Sequence, residues 1–158
     1  AGRGPGRLSV GRPRAGEGAL TGPVGALRGG GGALPLPVVG PDRSMVFRPW
    51  HVGDALVAGP FGVGGPPRAG REDRVAAELD VVVLPCTAVD LLGHRLGFGA
   101  GYYDRALAPD RLGEAAAPLT VGVVFDVQVA ADLPVRAWDV PVDVVVTDRR
   151  VVRTRTAG

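Results

Sequence analysis

Three stretches of this chain are apolar without alternation. Residues 80–85 read Asp-Val-Val-Val-Leu-Pro, residues 119–125 read Leu-Thr-Val-Gly-Val-Val-Phe, and residues 142–147 read Val-Asp-Val-Val-Val-Thr. Valine-rich runs of this length favour strands. A run with no polar alternation has both faces buried, as in a parallel sheet covered on both sides. Segments compatible with short helices lie between the runs. Residues 71–78 precede the first, and residues 102–107 follow it until Pro109 cuts the helix short. Strands separated by short helices specify an α/β fold with a largely parallel sheet. Four further strands are predicted. Residues 8–10 and 45–48 are short; residues 34–39 hold two prolines and belong near an edge; residues 150–154 follow a tight turn at Asp148 and Arg149. No internal repeat is present.

A chain of 158 residues suits one domain and a core large enough to need no disulfide. Cys86 is the one cysteine, so no internal disulfide forms, and a reducing cytoplasm is expected. No apolar run approaches the roughly 20 residues that span a bilayer. The first twenty residues lack the apolar core of a signal peptide. Lys, Ile and Asn are absent, a bias of genome composition that weakens any argument from arginine richness. Residues 1–32 hold five of the arginines against Glu17, and twelve of the 26 glycines. The remainder carries thirteen arginines against fifteen acids. A basic, poorly ordered segment over 1–32, with a weak helix end near 25–28, therefore precedes a near-neutral domain over 33–158.

Residues 97–101 read Gly-Phe-Gly-Ala-Gly, after a strand expected to be buried and before a helix start. Glycines at alternate positions let backbone N–H groups approach a phosphate closely, and a helix N-terminus adds partial positive charge. Arg95 adds a full charge, and Asp104 in the first helical turn is a candidate Mg²⁺ ligand. The spacing matches neither the P-loop nor the dinucleotide fingerprint. On spacing alone, a glycine-rich turn with two packing tyrosines stands beside the phosphate cradle.

The longer string over 95–105, Arg-Leu-Gly-Phe-Gly-Ala-Gly-Tyr-Tyr-Asp-Arg, resembles the signature of the 5-formyltetrahydrofolate cyclo-ligases. So do Ala88, Val89, Asp90 and Gly93 ahead of it, Asp126 and Gln128 after the second apolar run, and Asp139 to Asp143 near the end. Upstream, Phe47, Trp50, Gly53, Asp54, Phe61 and Gly62 resemble the family's middle loop. The likeness covers about 34–152. It implies a three-layer α/β/α sandwich and an enzyme that uses ATP and Mg²⁺ to close 5-formyltetrahydrofolate to 5,10-methenyltetrahydrofolate, releasing ADP and phosphate. By position, Arg95, Gly97, Phe98, Gly99, Ala100, Gly101, Tyr102, Tyr103 and Asp104 would meet the nucleotide. Arg95, Tyr102 and Tyr103 would be catalytic, Phe61 would pack with Tyr102 and Tyr103 on the folate, and Asp104 with Asp139 would hold Mg²⁺.

The family also begins with a basic helix and a folate-contacting Glu. Here Arg3 and Arg7 lie among glycines, and Arg12 and Pro13 stand about where that Glu belongs. A non-catalytic or truncated nucleotide-binding relative is the alternative reading. Cys86, without a metal-spaced partner, reads as a small buried residue, and His94 as an exposed turn residue. A nucleic-acid role for Arg149, Arg150, Arg153 and Arg155 ranks last, because the tail has no aromatic before Phe47. The expected partner is a small folate bound by a monomer, with neither nucleic acid nor membrane.

Overall fold

The computed structural model describes residues 8–10, 33–51, 53–68, 70–97, 99–113 and 117–154. Its centre is a five-stranded sheet built on the three apolar runs. β4 (Val81–Pro85) lies between β1 (Leu8–Val10) and β7 (Leu119–Val123), and β8 (Val144–Val146) follows β7. All three of these pairings are parallel. β9 (Val151–Arg153) closes antiparallel on β8, after a turn in which Thr147 N–H donates to Arg150 O at 2.8 Å. The chain is thus α/β with a mostly parallel sheet. The predicted helix end near 25–28 lies outside the described residues.

The sheet's two faces explain the missing alternation. Val82 and Leu84 point into the main core, with Phe47, Leu79, Leu107, Val142 and Val145. Val83 packs on the other face, with Leu8, Leu34, Val121 and Val123. A carboxylate ties two parallel strands together: Asp143 Oδ2 accepts from both the N–H and the hydroxyl of Thr120 at 2.8 Å. Cys86 is fully buried.

Two antiparallel ribbons are attached to this sheet. β2 (Leu34–Val39) pairs with β3 (Met45–Trp50). The buried Ser9 hydroxyl anchors this ribbon by donating to Pro35 O at 2.6 Å. β5 (Ala88–Val89) pairs with β6 (Arg95–Leu96). α1 (Tyr102–Ala106) and α2 (Pro109–Leu112) follow. Pro109 ends one helix and opens the next, where its missing N–H has no intrahelical role.

The helix predicted over 71–78 does not form. Only a 3-10 turn, Ala76–Glu78, is present. Arg74 instead exchanges both backbone hydrogen bonds with Phe47, so tertiary pairing overrides helix propensity. Side chains hold the segment extended: Arg48 Nε and Nη2 grip Asp73 at 2.6 and 2.8 Å, and Arg71 Nη1 donates to Pro49 O.

Arg48 is buried, and its hydrogen bonds hold the Asp73 carboxyl below the usual carboxylate range. A carboxyl pKa depressed by folding contributes stability above its unfolded value, about 3.9, and loses it as the pH falls through the folded value. Asp73→Asn should lower Tm near neutral pH by about 3–6 °C, as about 1–2 kcal/mol does in a domain of this size. The gap from the parent should shrink below about pH 4. Thermal melts across pH check both.

Candidate functional site

Four segments enclose a cleft of about 460 Å³. The β2–β3 ribbon supplies Val38 and Met45, and the loop after β3 supplies Phe61. Residues 95–97 and 99–104 form the floor, and a strap over 134–140 supplies Arg136, Trp138 and Asp139. The candidates Arg95, Gly97, Gly99, Ala100, Gly101, Tyr102, Tyr103, Asp104, Phe61 and Asp139 all line this one space. Phe98 lies outside the described residues.

Arg95 is the junction of the site. Its side chain is 7 % exposed and lies 2.7 Å from Asp104 Oδ1 through Nη2. Its Nη1 donates to Val140 O. Asp104 Oδ1 also accepts from Val140 N–H at 3.1 Å. One carboxylate oxygen and one guanidinium therefore join β6, α1 and the strap. A guanidinium has five N–H donors, and these contacts leave several for an anion.

The glycine loop differs from expectation in two ways. The buried strand β4 does precede it, but the two-residue β6, with Leu96 exposed, intervenes. The helix after it has only five residues, so its dipole is small, and local positive charge rests on the arginines. Gly101 takes φ +63°, a left-handed conformation that costs other residues roughly 1–2 kcal/mol. This kink turns the chain into α1. Arg105 then reaches back, donating through Nη2 to Ala100 O. A side-chain carbon at Gly97 would meet nothing within 4 Å, and Gly97 borders the cleft. Packing does not require glycine there, whereas a close-approaching ligand would.

One wall is aromatic. Phe61 is 60 % exposed and holds φ +61°, a strained backbone for a bulky side chain. Its ring meets Tyr102 edge-on, with centroids 6.0 Å apart. Arg105 lies 5.6 Å from the Tyr102 ring centroid. Tyr103 packs against the main core while also facing the cleft. An exposed, strained aromatic propped by a second ring is a platform for a flat heterocycle.

Asp139 Oδ2 accepts from Arg136 N–H at 2.8 Å, and the bonds of Asp104 fall on Oδ1. Each carboxylate keeps its second oxygen outside these bonds. Mg²⁺ binds through one or two carboxylates with phosphate oxygens and water, so each of these carboxylates is a candidate ligand. No cluster of three or more His, Cys, Asp or Glu residues occurs among the described residues.

Sequence reasoning missed Arg136 and Trp138, whose guanidinium and ring stand 5.7 Å apart at the rim. No motif marks them. It also misread His94. That ring is one-quarter exposed, with Nδ1 2.8 Å from Asp90 Oδ2. Asp126 and Gln128 brace loops: Asp126 Oδ1 accepts from Arg150 Nε at 2.8 Å, and Gln128 Nε2 donates to Thr87 O.

The chain is similar in sequence and fold to known proteins. The family model described as the 5-formyltetrahydrofolate cyclo-ligase family matches residues 25–148. The chain is similar to the 5-formyltetrahydrofolate cyclo-ligase of Escherichia coli K12, 34% identical over 73% of this chain and 63% of the relative. The Mycolicibacterium smegmatis cyclo-ligase is 35% identical over 76% of this chain and 62% of its own length. The chain thus spans under two thirds of these relatives. The NMR structure of Aquifex aeolicus 5,10-methenyltetrahydrofolate synthetase superposes with a TM-score of 0.76 at 35% identity, covering 97% of this chain and 74% of that one.

Gly97→Ala tests the cradle. It should change stability by no more than about 0.5 kcal/mol, while weakening MgATP binding at least about tenfold, a loss of about 1.4 kcal/mol. Calorimetric titration beside a thermal melt reads both.

Proposed function

The chain belongs to the 5-formyltetrahydrofolate cyclo-ligase family, and from that premise we propose that it closes 5-formyltetrahydrofolate to 5,10-methenyltetrahydrofolate using ATP. The observation that carries the reading is convergence. A glycine floor with room above it, an arginine, two carboxylates and an exposed aromatic platform line one cleft.

The chemistry asks little covalent work of the protein. An amide oxygen leaves poorly, and phosphorylation makes it a leaving group. The formyl oxygen attacks the γ-phosphorus and ADP departs. N10 of the folate then attacks the activated formyl carbon and loses its proton. Phosphate leaves with the former formyl oxygen, and the ring is closed. Catalysis is therefore mostly alignment and charge neutralisation.

Residue roles follow from position. The N–H groups over 97–101 would cradle the triphosphate, Phe98 and Ala100 by backbone alone. Arg95 would take a phosphate oxygen with the donors its structural bonds leave, a grip suited to a planar guanidinium. Tyr102 and Tyr103 would border the reacting formyl and phosphoryl groups, and Phe61 would stack on the pterin. When bound, Mg²⁺ held by Asp104 and Asp139 would neutralise phosphate charge. Among the described residues no helix is long and apolar enough to cross a membrane.

Purified chain mixed with 5-formyltetrahydrofolate, Mg²⁺ and ATP should develop methenyltetrahydrofolate absorbance. Asp104→Ala should lose at least about a hundredfold in kcat/KM, the scale of one transition-state charge contact. A flat trace from folded chain that still binds MgATP would instead favour a non-catalytic nucleotide-binding relative. Failure to bind either ligand would remove the reading altogether.

A further inference from the structure

Asp90 is the most deeply buried carboxylate among the described residues, with a side chain 1% exposed, and the chemistry proposed above does not use it. Its Oδ1 accepts from the N–H groups of Leu92 and His94, both at 2.9 Å. Its Oδ2 lies 2.8 Å from His94 Nδ1. The backbone closes the same turn: Asp90 N–H donates to His94 O at 2.9 Å, and Gly93 N–H donates to Asp90 O at 3.2 Å. A buried carboxylate with three donors is strongly committed to its geometry, because losing it would leave two amides and an imidazole unsatisfied.

This turn sits one residue before the junction of the site. Val89 and Arg95 are the facing pair that the turn joins. On one side the hairpin is pinned by Ala130 N–H donating to Val89 O at 2.8 Å. On the other, Val142 N–H donates to Gly93 O at 2.9 Å. Gly93 holds φ +96°, and a side-chain carbon there would strike Val142 O. The turn is therefore docked tightly on the segment after the strap. From that dock the chain runs directly to Arg95, whose guanidinium meets Val140 O and Asp104.

We infer that Asp90, with His94 as its partner, is a positioning residue: the buried carboxylate fixes the β5–β6 turn and so sets where the Arg95 guanidinium stands in the cleft. Asp90 itself does not line the cleft. The kinetic part of this inference rests on the proposed cyclo-ligase reading; the structural part does not.

The test compares the parent chain, Asp90→Asn, Arg95→Ala and the double variant. Asparagine keeps an acceptor for the two turn amides and alters the contact to His94. Two readouts are taken on folded protein: steady-state kinetics with MgATP and 5-formyltetrahydrofolate, and the NMR signal of the Arg95 Nε–H, assigned by its loss in Arg95→Ala. Asp90→Asn should shift or broaden that signal and raise KM for MgATP about tenfold, with KM for the folate changing less than about twofold. The double variant should be no worse than Arg95→Ala alone, because both changes remove one interaction. If Asp90→Asn folds poorly, His94→Ala keeps both turn amides satisfied and should move the signal in the same way. Losses that multiply in the double variant, or an unmoved Arg95 signal with unchanged MgATP KM, would overturn the inference. A parent chain without turnover whose Arg95 signal still responds to Asp90→Asn would sink the cyclo-ligase reading and uphold the positioning role.

Discussion

The contact on which the site depends is the pairing of Arg95 with Asp104 and Val140. Three segments meet there: the hairpin strand β6, the short helix α1 and the strap over 134–140, whose Val140 lies 45 residues beyond Arg95. None has much regular structure of its own. β6 has two residues and α1 five, too few to hold position by propensity. A nearly buried guanidinium and a carboxylate shared with a backbone N–H supply what the secondary structure lacks. In low dielectric such a pair is costly to break one-sidedly. Its loss should loosen the floor, the helix start and the strap together.

The parallel sheet makes this arrangement possible. β4 is packed on both faces and β7 lies hydrogen-bonded beside it, so their ends are fixed and the loops leaving them are held at one edge. Loops at such an edge carry chemistry on a rigid frame. The β2–β3 ribbon then walls the cleft from outside the sheet, anchored through Ser9 and Pro35. The strained Phe61 backbone fits this division of labour. Strain of roughly 1–3 kcal/mol survives where the surroundings enforce it, and here it presents an aromatic ring to the open cleft.

Much of this was legible in the sequence. The valine runs specified the strands, because short β-branched runs without alternation suit a strand covered on both faces. The glycine string and Asp104 stood out as one candidate cluster, and the structure places them along one cleft. Other features were hidden by long-range pairing. Residues 71–78 have helical propensity, and only the backbone exchange between Arg74 and Phe47 forces them extended. His94 looked like a surface turn residue because its partner, Asp90, is buried by contacts that local pattern cannot reveal. Arg136 and Trp138 reach the cleft rim through a strap with no periodicity to read. The structure also changes how Arg95 is understood. It is a structural junction as well as a candidate phosphate contact.

The central claim is that this cleft activates a formyl oxygen by phosphorylation. The most direct measurement is isotopic: turnover of 5-formyltetrahydrofolate labelled with heavy oxygen in the formyl group, followed by mass analysis of the released phosphate. The account predicts labelled inorganic phosphate and unlabelled ADP, in step with methenyltetrahydrofolate formation. Unlabelled phosphate accompanying the same product would mean that ATP hydrolysis is separate from the ring closure, and would contradict it.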